Sequence, residues 1–204
     1  MIPIRLVAYV LGFVFGLALS SCGQTVKLDQ IVRVENRIGS VSSIGTGAIV
    51  DADGDIALVL TCRHLLSDGL GALTASRYDG RSWSGTLLAA DQTADLAAIV
   101  IRDPGGVTPL VLADRQPNTI TTAGHGEQAR TGVYQLVTTD GSYYYATPSR
   151  PGHSGSPAFA PDGRLAGIVW GDSPQIGCAV VGLDHVRCFL ASPTVAGRIK
   201  RRTP

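Results

Sequence analysis

Charge is scarce in this chain. Only 16% of its 204 residues are Asp, Glu, Lys or Arg, and the formal net charge is +1. An average soluble domain carries about 25% charged residues, and a near-neutral balance excludes the broad basic footprint of a nucleic-acid binder. No window before Asp184 sustains the 3.6-residue apolar period of a helix. Glycine and proline, 25 and 11 residues, are too few for a low-complexity or collagenous chain. The longest uncharged apolar run, Leu6–Leu19, falls short of the ~20 residues of a membrane span. What is present is glycine in excess of the ~14 residues that average usage would supply, which suits tight turns between apolar strands.

Residues 1–22 read as an address. Arg5 precedes the apolar run, and Ser20 and Ser21 follow it, the layout of a secretory signal. Leu19-Ser20-Ser21-Cys22 resembles a bacterial lipobox, which implies a lipidated Cys22 and membrane attachment outside the cytoplasm, in the periplasm or on the exterior. An ordinary secretory signal and an uncleaved anchor are the alternatives. Removal of 1–21 takes away Arg5 and no acid, leaving equal numbers of basic and acidic residues. Of the remaining thiols, Cys178 and Cys188 are the expected disulfide pair, because Cys62 sits inside an apolar strand. Three buried reduced thiols are the alternative.

Beyond a tether (22–30), short apolar or alternating runs follow one another. They are Ile31–Ile38, Gly47–Val50, Ile56–Thr61, Leu73–Tyr78, Ser84–Ala90 and Leu96–Ile101, then Leu110–Ala113, Thr119–Ala123, Val133–Thr139, Tyr143–Thr147, Pro157–Ala160, Leu165–Trp170 and Ala179–Leu183. Asp53-Gly54, Asp79-Gly80, Asp140-Gly141 and Asp162-Gly163 punctuate them as turns. The pattern predicts an all-β chain in two halves, 31–103 and 104–190, closed by a short helix that holds His185 and a solvated basic tail (191–204).

Three segments carry chemistry. His64 ends the apolar strand Leu58–Arg63, Asp95 opens the strand Leu96–Val100, and Ser154 sits in Pro151-Gly152-His153-Ser154-Gly155-Ser156-Pro157. Each alone is a strand-end or turn residue. Together they place histidine, aspartate and serine in the chain order of the chymotrypsin class, not that of α/β-hydrolases. Ser154–Asp172–His185 has the hydrolase order, but too little chain separates its members for that fold.

With Gly45-Thr46-Gly47, Leu60-Thr61-Cys62-Arg63-His64, Thr93-Ala94-Asp95-Leu96-Ala97, Gly152–Pro157 and Ala166–Gly171, the sequence resembles the trypsin-like serine peptidases. It resembles in particular the bacterial branch that includes the HtrA proteases and glutamyl endopeptidases. The resemblance implies two six-stranded antiparallel β-barrels with a cleft between them. His64 is then the base, Asp95 its partner, Ser154 the nucleophile, and the backbone N–H groups of Gly152 and Ser154 the oxyanion hole. No metal or cofactor is expected, and the partner is a polypeptide substrate. Ser149, Val169 and Gly171 would wall the specificity pocket. No acid matches the base of an Arg/Lys pocket, and Val169 replaces the histidine of a Glu pocket, so a neutral P1 residue is expected. Asp172 would alter this by turning inward. His153 replaces the aspartate that digestive members use in zymogen activation, and reads as a partly exposed loop side chain. His125 reads as a turn residue. A catalytically silent relative that binds extended peptides is the alternative function, and an ester hydrolase with the same triad is a third.

Overall fold

The computed structural model describes residues 28–125 and 129–200. The leader, Cys22 and most of the tether lie outside those residues.

The first barrel comprises β1 (Ile31–Ile38), β2 (Val41–Asp53), β3 (Ile56–Cys62), β4 (Ala72–Ser76), β5 (Ser82–Asp91) and β6 (Leu96–Arg102). Hydrogen bonding joins them in the closed order β1-β2-β3-β6-β5-β4. The second barrel comprises β7 (Thr119–Thr122), β8 (Arg130–Val137), β9 (Ser142–Tyr145), β10 (Pro157–Phe159), β11 (Leu165–Ser173) and β12 (Gly177–Gly182). Its closed order, β10-β11-β12-β9-β8-β7, repeats the first. Every pairing is antiparallel. The histidine-bearing connection, β3 to β4, and the serine-bearing connection, β9 to β10, are therefore topological equivalents.

The apolar runs became strands because closure gives each a buried face. Val59, Leu60, Ala98 and Ile99 on the adjacent strands β3 and β6 are at most 1% exposed. Truncating such a side chain to alanine costs about 2–5 kcal/mol for Leu or Ile. The core is continuous between the barrels, since Phe159, Leu165, Ile168 and Val181 join the same cluster.

Three expectations change. Leu110–Ala113 is no barrel strand; it crosses between the halves, with Leu110 N–H bonded to the Ile49 carbonyl and one bridge from Leu112 to Leu165. The tail is not a solvated coil from residue 191. After α1 (Leu183–Ala191), which holds His185, α2 (Pro193–Lys200) folds back and buries Val195. The Cys178–Cys188 disulfide is absent: both thiols are free, as is Cys62. Cys178 faces the core of the second barrel with Tyr145 and Val180, whereas Cys188 lies on an exposed face of α1.

Candidate active site

Strand pairing closes the gap of sequence between His64 and Asp95. Cys62, the last residue of β3, lies opposite Leu96, the first of β6. The next residues outward are the 3-10 turn Arg63–Leu66, which carries His64, and Asp95. The Arg63 N–H binds the Asp95 carbonyl at 3.1 Å. Asp95 has φ +52°, a left-handed conformation that Asp adopts more readily than most residues. Asp91 prepares it, accepting the N–H groups of Thr93 and Ala94 on one carboxylate oxygen. One Asp95 oxygen accepts the His64 backbone N–H at 2.8 Å, and the other meets His64 Nδ1 at 2.6 Å. Backbone and ring of one residue are thus held by one carboxylate. That contact fixes the orientation of the ring at its Nδ1 edge.

The fully buried Cys62 thiol lies beside this pair and donates to the Val169 carbonyl, Sγ to O 3.2 Å. Burial, and then the negative charge of Asp95, push its pKa well above the ordinary value. Cys62, His64 and Asp95 hold potential ligand atoms within 4.8 Å of one another.

The Ser154 loop is built on turns. The His153 N–H reaches the Arg150 carbonyl at 3.0 Å. With Pro151 second and Gly152 third at φ +94°, the turn has the type II signature and fixes the direction of the peptide carrying the Gly152 N–H. Gly155 has φ +87°, and a Cβ there would run into the Thr46 carbonyl. Its N–H donates to the Val169 carbonyl at 2.7 Å. Ser154 is half-buried, and its carbonyl accepts the Thr46 N–H at 2.7 Å. Among the described residues the Ser154 hydroxyl makes no hydrogen bond to His64. In unliganded sites such bonds are often long and tighten with substrate.

Of the expected pocket residues, Ser149 and Gly171 are half-buried at the surface. The Val169 side chain is fully buried among Ile120, Tyr145 and Val180 and faces the barrel core, not the surface. Asp172 is exposed and does not turn inward. His153 departs from expectation: it is 2% exposed and its ring packs on Gly124, where a Cβ would stand 2.7 Å from Cδ2. The turn from Arg150 carries the side chain under the loop rather than out of it. His125 lies in a turn, as expected, and burial lowers its pKa.

Two residues escaped the sequence reading. Thr46, quoted only as part of Gly45-Thr46-Gly47, is 1% exposed and bonded to the Ser154 loop through both backbone and side chain. A hydroxyl between two glycines on an apolar strand was the available signal. Arg33, on β1, borders a pocket beside Gly152, and nothing in the sequence linked it to Ser154.

A family model described as the trypsin-like peptidase domain matches residues 45–168. The chain is 37% identical over 78 residues to a putative protease Do-like 14 of Arabidopsis thaliana, covering 35% of this chain and 17% of that protein. The match thus spans about a sixth of that relative's length. The crystal structure of a serine endoprotease from Yersinia pestis superimposes with a TM-score of 0.71 at 19% identity, covering 84% of this chain and 64% of that one. That likeness is one of fold. With the two closed barrels and the family match across the cleft-forming segments, the chain belongs to the trypsin-like peptidase family.

Proposed function

We propose that the chain is a serine endopeptidase in which His64, Asp95 and Ser154 act as the triad. The observation that carries this reading is the two-point grip of the Asp95 carboxylate on the His64 backbone and Nδ1. It orients the imidazole so that Nε2 can take the Ser154 hydroxyl proton as the oxygen attacks a peptide carbonyl. The Gly152 and Ser154 N–H groups would hold the resulting oxyanion, where loss of one donor costs about 2.7–4 kcal/mol of barrier. The imidazolium then gives its proton to the leaving amine as the C–N bond breaks. Water repeats the sequence on the acyl-enzyme and restores Ser154. Ser149 and Gly171, with Val169 behind them, form the proposed P1 pocket. It holds no charged group matched to Arg, Lys or Glu, which favours a neutral side chain.

A fluorophosphonate probe tests the reading directly. Labelling of wild type and none of folded Ser154→Ala is the expected result. No labelling of the wild type, with extended peptides still bound, would establish the silent peptide-binding reading instead.

We further propose that the domain works on the cell envelope, tethered through a lipidated Cys22. The support is the leader and its Leu19–Cys22 segment. Cys22→Ser should abolish incorporation of labelled fatty acid and leave the precursor uncut. Cleavage without lipid in the wild type would leave secretion standing and remove the anchor.

A further inference from the structure

A pocket of about 130 Å³ opens beside the nucleophile loop, between Arg33, Ile44 and Thr46 of the first barrel and His125, Pro151 and Gly152 of the second. Strand β11 contributes nothing to it. A peptide with its P1 side chain in the proposed pocket at Ser149 and Gly171 of β11, and its scissile carbonyl at Ser154, enters this pocket with residues that follow the cleaved bond. Arg33 binds Glu35 through Nη1 alone, at 2.6 Å. The same carboxylate accepts Arg37 at 2.6 Å and Ser42 at 2.8 Å. Two guanidinium groups on one carboxylate leave positive charge over. The other Arg33 N–H groups make no hydrogen bond among the described residues, and its side chain is 33% exposed. The Glu35 contact also holds the Arg33 fork in place, so little freedom is lost when it binds. We infer that this pocket selects an Asp or Glu side chain among the first two residues after the cleaved bond, with Arg33 as its recognition group. The inference rests on the serine peptidase reading above.

Peptide pairs that differ only by Glu or Gln in those two positions provide the test, read as a ratio of kcat/KM within each protein. Wild type should prefer Glu roughly tenfold, the scale of one charge-assisted contact at a partly exposed site. Arg33→Met should bring the ratio to about one. A wild-type ratio of one, or an undiminished ratio in Arg33→Met, overturns the assignment. The wild-type ratio decides the matter even where the variant fails to fold. A wild type that cleaves nothing and takes no fluorophosphonate fails the underlying reading, and this one with it. Cleavage without Glu preference fails this one only.

A separate set of contacts concerns Thr46. Its N–H donates to the Ser154 carbonyl at 2.7 Å, and its carbonyl accepts the Thr61 hydroxyl at 2.6 Å. Its own hydroxyl donates to the Gly152 carbonyl at 2.7 Å and accepts the His125 N–H at 3.2 Å. All four hydrogen-bonding functions of a buried side chain and its peptide groups are thus used, and two hold the residues proposed to form the oxyanion hole. The geometry points to Thr46 as a positioning residue: its hydroxyl fixes the Gly152 carbonyl and so keeps the preceding N–H aimed at the substrate oxygen.

Thr46→Val removes the hydroxyl at constant shape, and Thr46→Ser keeps it. Thr46→Val should lose about 10–100-fold in kcat/KM. It should lose a similar factor in affinity for a peptide aldehyde, whose adduct carries the oxyanion. Affinity for a non-covalent product peptide should change little, and Thr46→Ser should recover most of both losses. Wild-type rates in Thr46→Val, or equal losses in the two variants, overturn the role. A fall in product affinity as large as that in aldehyde affinity does so too. Thr46→Ala serves in place of valine if the valine variant does not fold.

Discussion

In the first barrel β2 runs for 13 residues and β5 for 10, and the core is aliphatic. In the second, β7 and β9 have four residues each and β10 three, around a small cluster of Tyr145, Cys178 and Val180. The strand order is the same in both. What differs is how the equivalent connections are held. His64 stands two residues past a paired strand end, in a 3-10 turn secured by Asp95. Ser154 stands on a long connection shaped by two left-handed glycines, and much of its support comes from Thr46 in the other barrel. One half holds His64 at a fixed strand end and the other carries Ser154 on a loop that must be held, so the second half should be the more sensitive to small changes.

The largest effects test the chemistry that joins the halves. Ser154→Ala should remove covalent labelling and nearly all turnover. Asp95→Asn should lower kcat about 10⁴-fold, since the wrong tautomer is then held; steady-state kinetics reads both. Next come two alanine substitutions at left-handed glycines. Gly155→Ala meets both strain and the Thr46 carbonyl, and should cost more than about 1–3 kcal/mol along with most activity. Gly54→Ala, at φ +46° in the β2–β3 turn of the first barrel, meets no atom within 4 Å. It should cost only about 1 kcal/mol and no activity. Equal losses in urea melts and assays would erase the contrast between the barrels. Cys62→Ala removes the thiol contact to the Val169 carbonyl and should destabilise by about 1–2 kcal/mol.

The smallest effect is in the pH dependence of stability. Arg33, then Arg37 and Ser42, lower the Glu35 pKa from 4.5 to about 2. A depressed native pKa gives stability that is present above 4.5 and lost as pH falls toward 2. In the second barrel, burial raises Cys178 from 9.0 and Tyr145 from 10.0, each to about 12. Raised native pKa values give stability that is intact below 9 and lost as pH rises toward 12. Glu35→Gln should therefore flatten the acid limb of the stability profile, and Tyr145→Phe the alkaline limb. Denaturant titrations across pH read the two separately.

Much of this was legible in the chain. Ile31–Ile38 is a strand from end to end as expected, because it pairs with β2 along its whole length and buries Ile31, Val32 and Val34. The start of β2 was missed, since Val41–Ile44 is exposed and half polar, and only pairing with β1 makes it a strand. The motifs named His64, Asp95 and Ser154, but not that Asp95 would bind His64 at two points. Burial of His153 against Gly124 and the contacts of Thr46 with the Ser154 loop join segments distant in sequence, which no local pattern encodes. The Cys178–Cys188 pair failed because nearness in sequence says nothing of side-chain direction across a strand and a helix.

The free thiols make the molecule its own reporter. Cys188 is exposed, while Cys62 and Cys178 are each at most 1% exposed, one in each barrel. An alkylating reagent should modify Cys188 at once and the other two only when their barrel opens. Mass spectrometry of the two slow sites during mild denaturation would then time the opening of each half. The serine-bearing half is expected to admit the reagent first.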